Sequence, residues 1–174
     1  MSQSLTGFAD LLRAAERTAV HLEMRDAYSV ENEREGFAAW KKGHLLDPDN
    51  RESWWRPWLD LVREVTGKGL VMRRARIVSE PVSEYIRFEH SGTFTNIAAG
   101  EQIRWLPRGQ ASDLALPGND FWLFDDRLVQ FNVFDGDGRW VRTDQTEDPA
   151  VARLCASAFE AVWERAVPHE KYGV

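Results

Sequence analysis

One cysteine, Cys155, stands in 174 residues, so no disulfide can form within the chain. No apolar run approaches the roughly 20 residues needed to cross a bilayer. No charged-then-apolar leader opens the sequence, and a soluble cytoplasmic protein is the expectation. There is no serine elbow, phosphate-cradling glycine loop or dinucleotide fingerprint, because the 12 glycines stand singly or in turns. No close histidine pair of the H-x-x-x-H kind occurs. Positive charge is also short, with 22 Lys and Arg against 28 Asp and Glu and a formal net charge of −6. That balance argues against nonspecific polyanion binding by the whole surface, and direct nucleic-acid binding is not expected.

What is present is ordinary globular composition, 43% hydrophobic and 29% charged. No internal repeat, low-complexity tract or linker divides it, so residues 1–174 are expected to form one α/β domain, a mixed sheet flanked by helices with an N-terminal helical layer. Ser4 is suited to cap a helix with Phe8, Leu11, Leu12 and Ala15 on its apolar face. Residues 18–28 alternate as a strand, with Ala19, His21, Glu23 and Arg25 on one side. Phe37 and Trp40 mark a short helix between Glu31 and Gly43. Pro57 opens another whose buried stripe is Trp58, Leu61, Val62 and Val65, and Gly67 and Gly69 turn the chain into a strand at Leu70. Further on, apolar segments separated by Asp125-Asp126 and by Asp135-Gly136-Asp137-Gly138 read as an antiparallel meander. Asp148 and Pro149 start a last helix with Val151, Leu154, Cys155, Ala158, Val162 and Ala166 on one side. There Cys155 is expected to be an inert core residue.

The densest polar signal lies between Leu70 and Arg108. In the strand from Leu70 to Ser79, Val71, Ala75 and Ile77 fall on one face at period two, which puts Arg74 and Arg76 side by side on the other. Pro81 is expected to set a first helical turn, with Val82, Tyr85, Ile86 and Ile97 at helical spacing up to Gly100, before Ile103 resumes a strand. Arg74, Arg76, Tyr85, Arg87, Arg104 and Arg108, balanced by Glu80, Glu84 and Glu89, make a candidate pocket. Forked guanidinium groups beside aromatic rings suit a phosphate, a carboxylate or a nucleotide. The alternative is an internal salt-bridge network, since alternating Arg and Glu often only solvates a surface.

A second candidate groups His21, Glu23, Arg25 and Asp26, with His169 and Glu170 from the other end of the chain. Two imidazoles among carboxylates can bind zinc or move protons, although a structural role is the commoner use. Asp120, Asp125, Asp126, Asp135 and Asp137 resemble oxygen ligands of a cation. Hairpin turns explain them better, and no metal or other cofactor is expected. Finally, Trp54 and Trp55 sit in a loop and cannot both be buried by simple periodicity. They are candidates for ligand or partner contact, or for a lid over the sheet.

The segments TAVHLEMRDAY, RRARIVSEPVSEYIRFEH, NIAAGEQIRWLPR, LPGNDFWLFDD and AFEAVWERAVPHEKY resemble a family of small actinobacterial proteins and domains of unknown function. Members of that family are often encoded beside helix-turn-helix regulators of the Streptomyces kind. The resemblance runs through nearly the whole chain and implies no activity. From Leu59 onward, the order helix, glycine turn, strand, helix, strand, a strand ending in Asp, hairpin and final helix is similar to half of a phospholipase-D-like domain. That superfamily's signature is His, Lys two residues on and Asp five residues after the Lys. Placing its acid at Asp126 puts Asn119 where the His should stand and Phe121 where the Lys should stand. The resemblance therefore implies a degenerate copy, without the nucleophile and without the cation that steadies phosphoryl charge.

These readings point to a non-enzymatic binding or regulatory module. Its expected partner is a small anion-bearing molecule or a protein such as a helix-turn-helix regulator. The alternatives are a hydrolase or transferase of phosphate-containing substrates, with His21 or His169 as base and the arginines as clamp, and a structural dimerisation domain.

Overall fold

A computed structural model describes residues 5–174, with side chains from Gly7 onward; the expected cap at Ser4 lies outside the described residues. The first helix, α1 (Leu5–Ala14), turns its Leu12 side inward and leads to β1 (Thr18–Glu23). A single turn of 3-10 helix at Glu31–Glu33 precedes α2 (Arg34–Lys41). Then follow α3 (Pro57–Gly67), β2 (Val71–Val78), α4 (Glu84–Ala99) and β3 (Gln102–Pro107). The meander is β4 (Asp120–Phe124), β5 (Leu128–Phe134) and β6 (Trp140–Thr146). The chain closes with α5 (Pro149–Arg165) and the two-residue β7 (Val167–Pro168). These strands form one mixed sheet in the order β6-β5-β4-β1-β2-β3-β7, in which β1, β2 and β3 are parallel to one another and the remaining pairings are antiparallel.

Several boundaries differ from the sequence expectation, each for a local reason. β1 stops at Glu23 rather than continuing to Tyr28, because the Met24 N–H donates to the Asp120 carboxylate at 2.9 Å instead of to a neighbouring strand. α4 begins at Glu84, where the Ser83 hydroxyl accepts the Ile86 N–H at 3.1 Å; Pro81 lies before the helix and does not form its first turn. Two expected core positions face water, Ile97 at 38% and Leu154 at 46% exposure.

The two faces of the sheet are unlike. α5 covers one face with Cys155, Phe159 and Val162 on Val20, Leu22, Ala75, Ile77, Leu106, Phe121 and Leu123, all apolar. The other face carries two separate apolar clusters. One joins α1 and α3 to Ala19, Met72, Trp122 and Phe124, and the other joins Tyr85 and Ile86 of α4 to Val78, Ile103, Trp105 and Tyr172. His21, Glu23, Arg74 and Arg76 occupy the same face of β1 and β2. No helix among the described residues is long and apolar enough to cross a membrane.

Candidate functional site

The parallel register of β1 and β2 places His21 beside Arg74 and Glu23 beside Arg76. Period two then sends all four side chains to one face, as the alternation in each strand requires. Arg74 donates from Nε to Glu101 Oε1 at 2.7 Å and from Nη1 to Glu23 Oε1 at 2.9 Å. Arg76 pairs through Nη1 with Glu23 Oε2 at 2.9 Å and donates from Nη2 to Glu89 Oε2 at 2.6 Å. Glu101 also accepts the Asn96 side-chain amide at 2.7 Å. Glu23 thus bridges two buried guanidinium groups. Burial alone pushes its carboxyl up, but Arg76 and Arg74 outweigh burial and hold it at about 2. The same balance works for the arginines: burial opposes their charge, and the facing carboxylates more than restore it.

Around this network lies a cavity of about 130 Å³, bounded by His21, Glu23, Tyr28, Glu33, Tyr85 and Asp120, with Phe134 and Asn132 from β5. A larger cleft of about 580 Å³ adjoins it. Trp58, Phe88 and Ile103 supply its apolar wall, and Glu33, Arg74, Arg76 and Glu89 line both hollows. Two acids here are shifted upward. Burial, with Glu89 adding repulsion, raises Glu33 to about 7, although its carboxylate accepts the Tyr85 hydroxyl at 2.6 Å. Burial raises Asp120 to about 6 despite hydrogen bonds from the Tyr28 hydroxyl and the Met24 N–H.

His21 behaves differently. Burial, aided by Arg74 and Arg76 against the pull of Glu23, lowers it to about 3, so the imidazole is neutral. It stacks on Trp122 with centroids 4.1 Å apart and planes at 17°. Nδ1 lies 3.5 Å from Glu23, and neither ring nitrogen makes a hydrogen bond.

The structure brings together Arg74, Arg76, Tyr85, Glu89, His21 and Glu23, which the sequence reading had divided between two candidates. It sends the others elsewhere. Arg87 is exposed on the outer side of α4, and Glu84 pairs there with Lys41 at 2.9 Å. Arg104 points to the α5 face, where Nη1 donates to the Trp163 carbonyl and the guanidinium lies over the Trp163 ring. Glu80 accepts the Tyr172 hydroxyl, and Arg108 ties the Met24 and Ile77 carbonyls to Asp26 and Ser79. Trp54 is buried with its Nε1 donating to the Asp47 carbonyl, while Trp55 lies under Arg51, and neither lines the cavity.

His169 does not join His21. It accepts from Trp105 Nε1 at 3.1 Å and sits 4.4 Å from the His90 ring, and burial with the nearby His90 lowers it to about 4. Of the five aspartates, only Asp120 faces the cavity. Asp125 accepts the N–H groups of Glu16, Arg17 and Thr18, and Asp135 organises its own hairpin. Among the described residues, no group of three His, Cys, Asp or Glu is placed to hold a metal ion.

Tyr28, Glu33 and Glu101 are the members that sequence reasoning missed, and Asp120 had been grouped only with the hairpin aspartates. Asp120 carried a faint signal, as an acid opening an otherwise apolar strand. Glu33 and Tyr28 carried none, since they enter from irregular segments.

Solved structures share this fold. Nuc from Salmonella typhimurium, a phospholipase D family member, is 8% identical with a TM-score of 0.50 over 94% of this chain and 88% of its own. NucT from Helicobacter pylori is 9% identical with a TM-score of 0.53, covering 94% of this chain and 89% of its own. TrmBL2, an archaeal chromatin protein with a novel mode of DNA binding, is 14% identical with a TM-score of 0.50 over 92% of this chain. This chain spans about half of that protein's length, 48%. Comparison with curated proteins gives no match. At such identities the structural likeness establishes the phospholipase-D-like fold and nothing about activity. In sequence, the match to a family profile extends over residues 6–173, and the chain belongs to the DUF6879 family, a domain of unknown function.

Proposed function

We propose that the domain is a binding module that has kept a phospholipase-D-like frame without its catalysis, and that its ligand enters the cavity at the carboxyl ends of β1 and β2. One observation carries this reading: a polar hollow lined by perturbed acids holds a buried histidine whose ring nitrogens make no hydrogen bond, while the degenerate signature positions lie outside it. Of the two positions that should supply nucleophile and cation, Asn119 is exposed and Phe121 is fully buried against the α5 layer. His21 is a poor substitute base, since an imidazole that protonates only near pH 3 holds a proton weakly. His169 lies in another cluster. The guanidinium clamp required of a phosphate-processing enzyme would have to break ion pairs already made with Glu23, Glu89 and Glu101. DNA binding of the kind named for TrmBL2 meets an acidic chain of net charge −6. A regulatory role beside a helix-turn-helix protein is the biological form of this proposal, and it is carried by family resemblance alone.

Thermal unfolding of the whole chain against amines, nucleotides, sugar phosphates, carboxylates and divalent metals tests the reading. A ligand at 100 times its dissociation constant stabilises by about 2.7 kcal/mol, or roughly 5–10 °C for a domain of this size. A shift that disappears in Tyr28→Phe/His21→Phe supports the proposal. Turnover of a phosphodiester that is lost in His21→Ala would replace it with the enzyme reading, and silence across every class would remove the ligand site.

A further inference from the structure

If the cavity is a ligand site, its lining also specifies the charge of the ligand. Glu23, Glu33, Glu89 and Asp120 line the two hollows and Glu101 stands behind Arg74, so five carboxylates stand against Arg56, which lines the larger cleft, and the two buried guanidinium groups of Arg74 and Arg76. Both guanidinium groups are engaged, Arg74 by Glu101 and Glu23 and Arg76 by Glu23 and Glu89. An incoming anion would face acids on several sides and find no free fork in the smaller cavity, while Arg56 of the larger cleft is hydrogen-bonded to Thr95 and Asn96. An incoming cation meets surplus carboxylate and the rings of Tyr28, Tyr85 and Phe134, whose faces favour positive charge.

The independent mark of a ligand is His21. It is 7% exposed, it lines the cavity, its plane is held by Trp122, and neither ring nitrogen has a hydrogen-bond partner. Buried polar groups are seldom left so, because the lost hydrogen bond costs on the order of 1–3 kcal/mol. Being neutral, the ring offers one acceptor nitrogen to a donor-rich visitor. We infer that the cavity takes the positively charged head of a small organic cation, a primary ammonium or an amidinium, held by Glu33 and Asp120 with His21 accepting one of its N–H donors.

Proton linkage follows from the surroundings of those acids. Glu33 is faced by Glu89 and the Tyr85 hydroxyl of α4, by Arg76 of β2, by Glu23 of β1 and by Arg56 ahead of α3; Asp120 is faced by Tyr28, Glu23 and Arg25. A bound cation favours the ionised form of both acids. Binding near pH 6 therefore expels protons, and affinity rises towards pH 8.

Calorimetric titration of the whole chain with benzylamine and benzamidine, against benzoate and phenyl phosphate, tests this at pH 6 and pH 8 in two buffers of different ionisation enthalpy. The amines should bind and the anions should not, with net proton release at the lower pH. Glu33→Gln, which keeps an acceptor for the Tyr85 hydroxyl, should weaken the amines about tenfold and reduce the released protons, whereas Arg87→Ala, on the far side of α4, should bind unchanged. Should Glu33→Gln prove unfolded by circular dichroism, the pH dependence and proton count of the unaltered chain decide alone. Binding of benzoate or phenyl phosphate with the amines silent overturns the cationic assignment and leaves the ligand site standing. Amine binding without proton release removes the role given to Glu33 and Asp120. Silence of all four compounds overturns the inference, and silence of the broader thermal panel as well removes the site on which it rests.

Discussion

Arg74 shows how far a single residue could be read. Its inward direction followed from period two in β2, and that of Arg76 with it. Their partners did not follow, because partner choice depends on the rotation of α4 over the sheet. Tyr85, Glu89, Thr93 and Asn96 recur on one side of that helix at helical spacing and meet the strands, while Glu84 and Arg87 fall on the outer side. Of the three glutamates expected to balance the arginines, only Glu89 has the right phase, and Glu101 lies beyond the helix altogether. The ion pairs are nonetheless integral to folding. Arg74→Ala leaves Glu101, 2% exposed, beside Glu23 without their shared cation. Loss of one partner from a buried pair costs roughly 3–5 kcal/mol, a large part of a domain's stability. Urea unfolding should show that loss for Arg74→Ala and recover much of it when Glu101→Leu is combined with Arg74→Met. An unchanged midpoint for Arg74→Ala would mean that the network contributes little to stability.

At the level of elements, helices with ordinary amphipathic stripes were legible in place and direction, whereas α4 was legible in place but not in which side it buries. It buries the polar Thr93, Thr95 and Asn96 and leaves Ile97 exposed, so hydrophobicity gives no direction. The meander was readable because Asp and Gly punctuate it, yet its two adjacent aspartates differ in work. Asp125 and Asp126 both have left-handed backbones, with φ of 51° and 55°. Asp125 alone accepts three backbone N–H groups of the α1–β1 connection, at 2.8, 2.8 and 2.9 Å. Asp126→Gly relieves an unfavourable φ and should leave stability within about 0.5 kcal/mol of the starting chain or raise it. Asp125→Gly relieves the same strain but abandons those donors, and should destabilise by about 2 kcal/mol. Chemical denaturation of the pair gives the comparison, and equal effects would refute the assigned division of labour.

For the whole molecule, the mixed sheet between helical layers was legible from the alternation of short strands with helical stripes. The short edge strand β7 was not, since two residues carry no period. Convergence in space was also hidden: His21, Tyr28, Glu33 and Asp120 meet only because β1 pairs with both β2 and β4. The same pairing runs the ionic strip through the middle of one apolar layer and leaves a cluster on each side of it. Such a strip acts as a firebreak. The buried methyl groups of the two clusters form separate cores, linked through α4, which gives Ile86 to one and Ala99 to the other, so each half can drift in sequence with little repacking across the divide. Val62→Ala beneath α3 and Ile86→Val beneath α4 should therefore add in the double variant to within about 0.5 kcal/mol, as separated sites do. A coupling above that, measured by a double-mutant cycle, would mean that the halves yield together; additivity would make this one sheet face two cores that evolve apart.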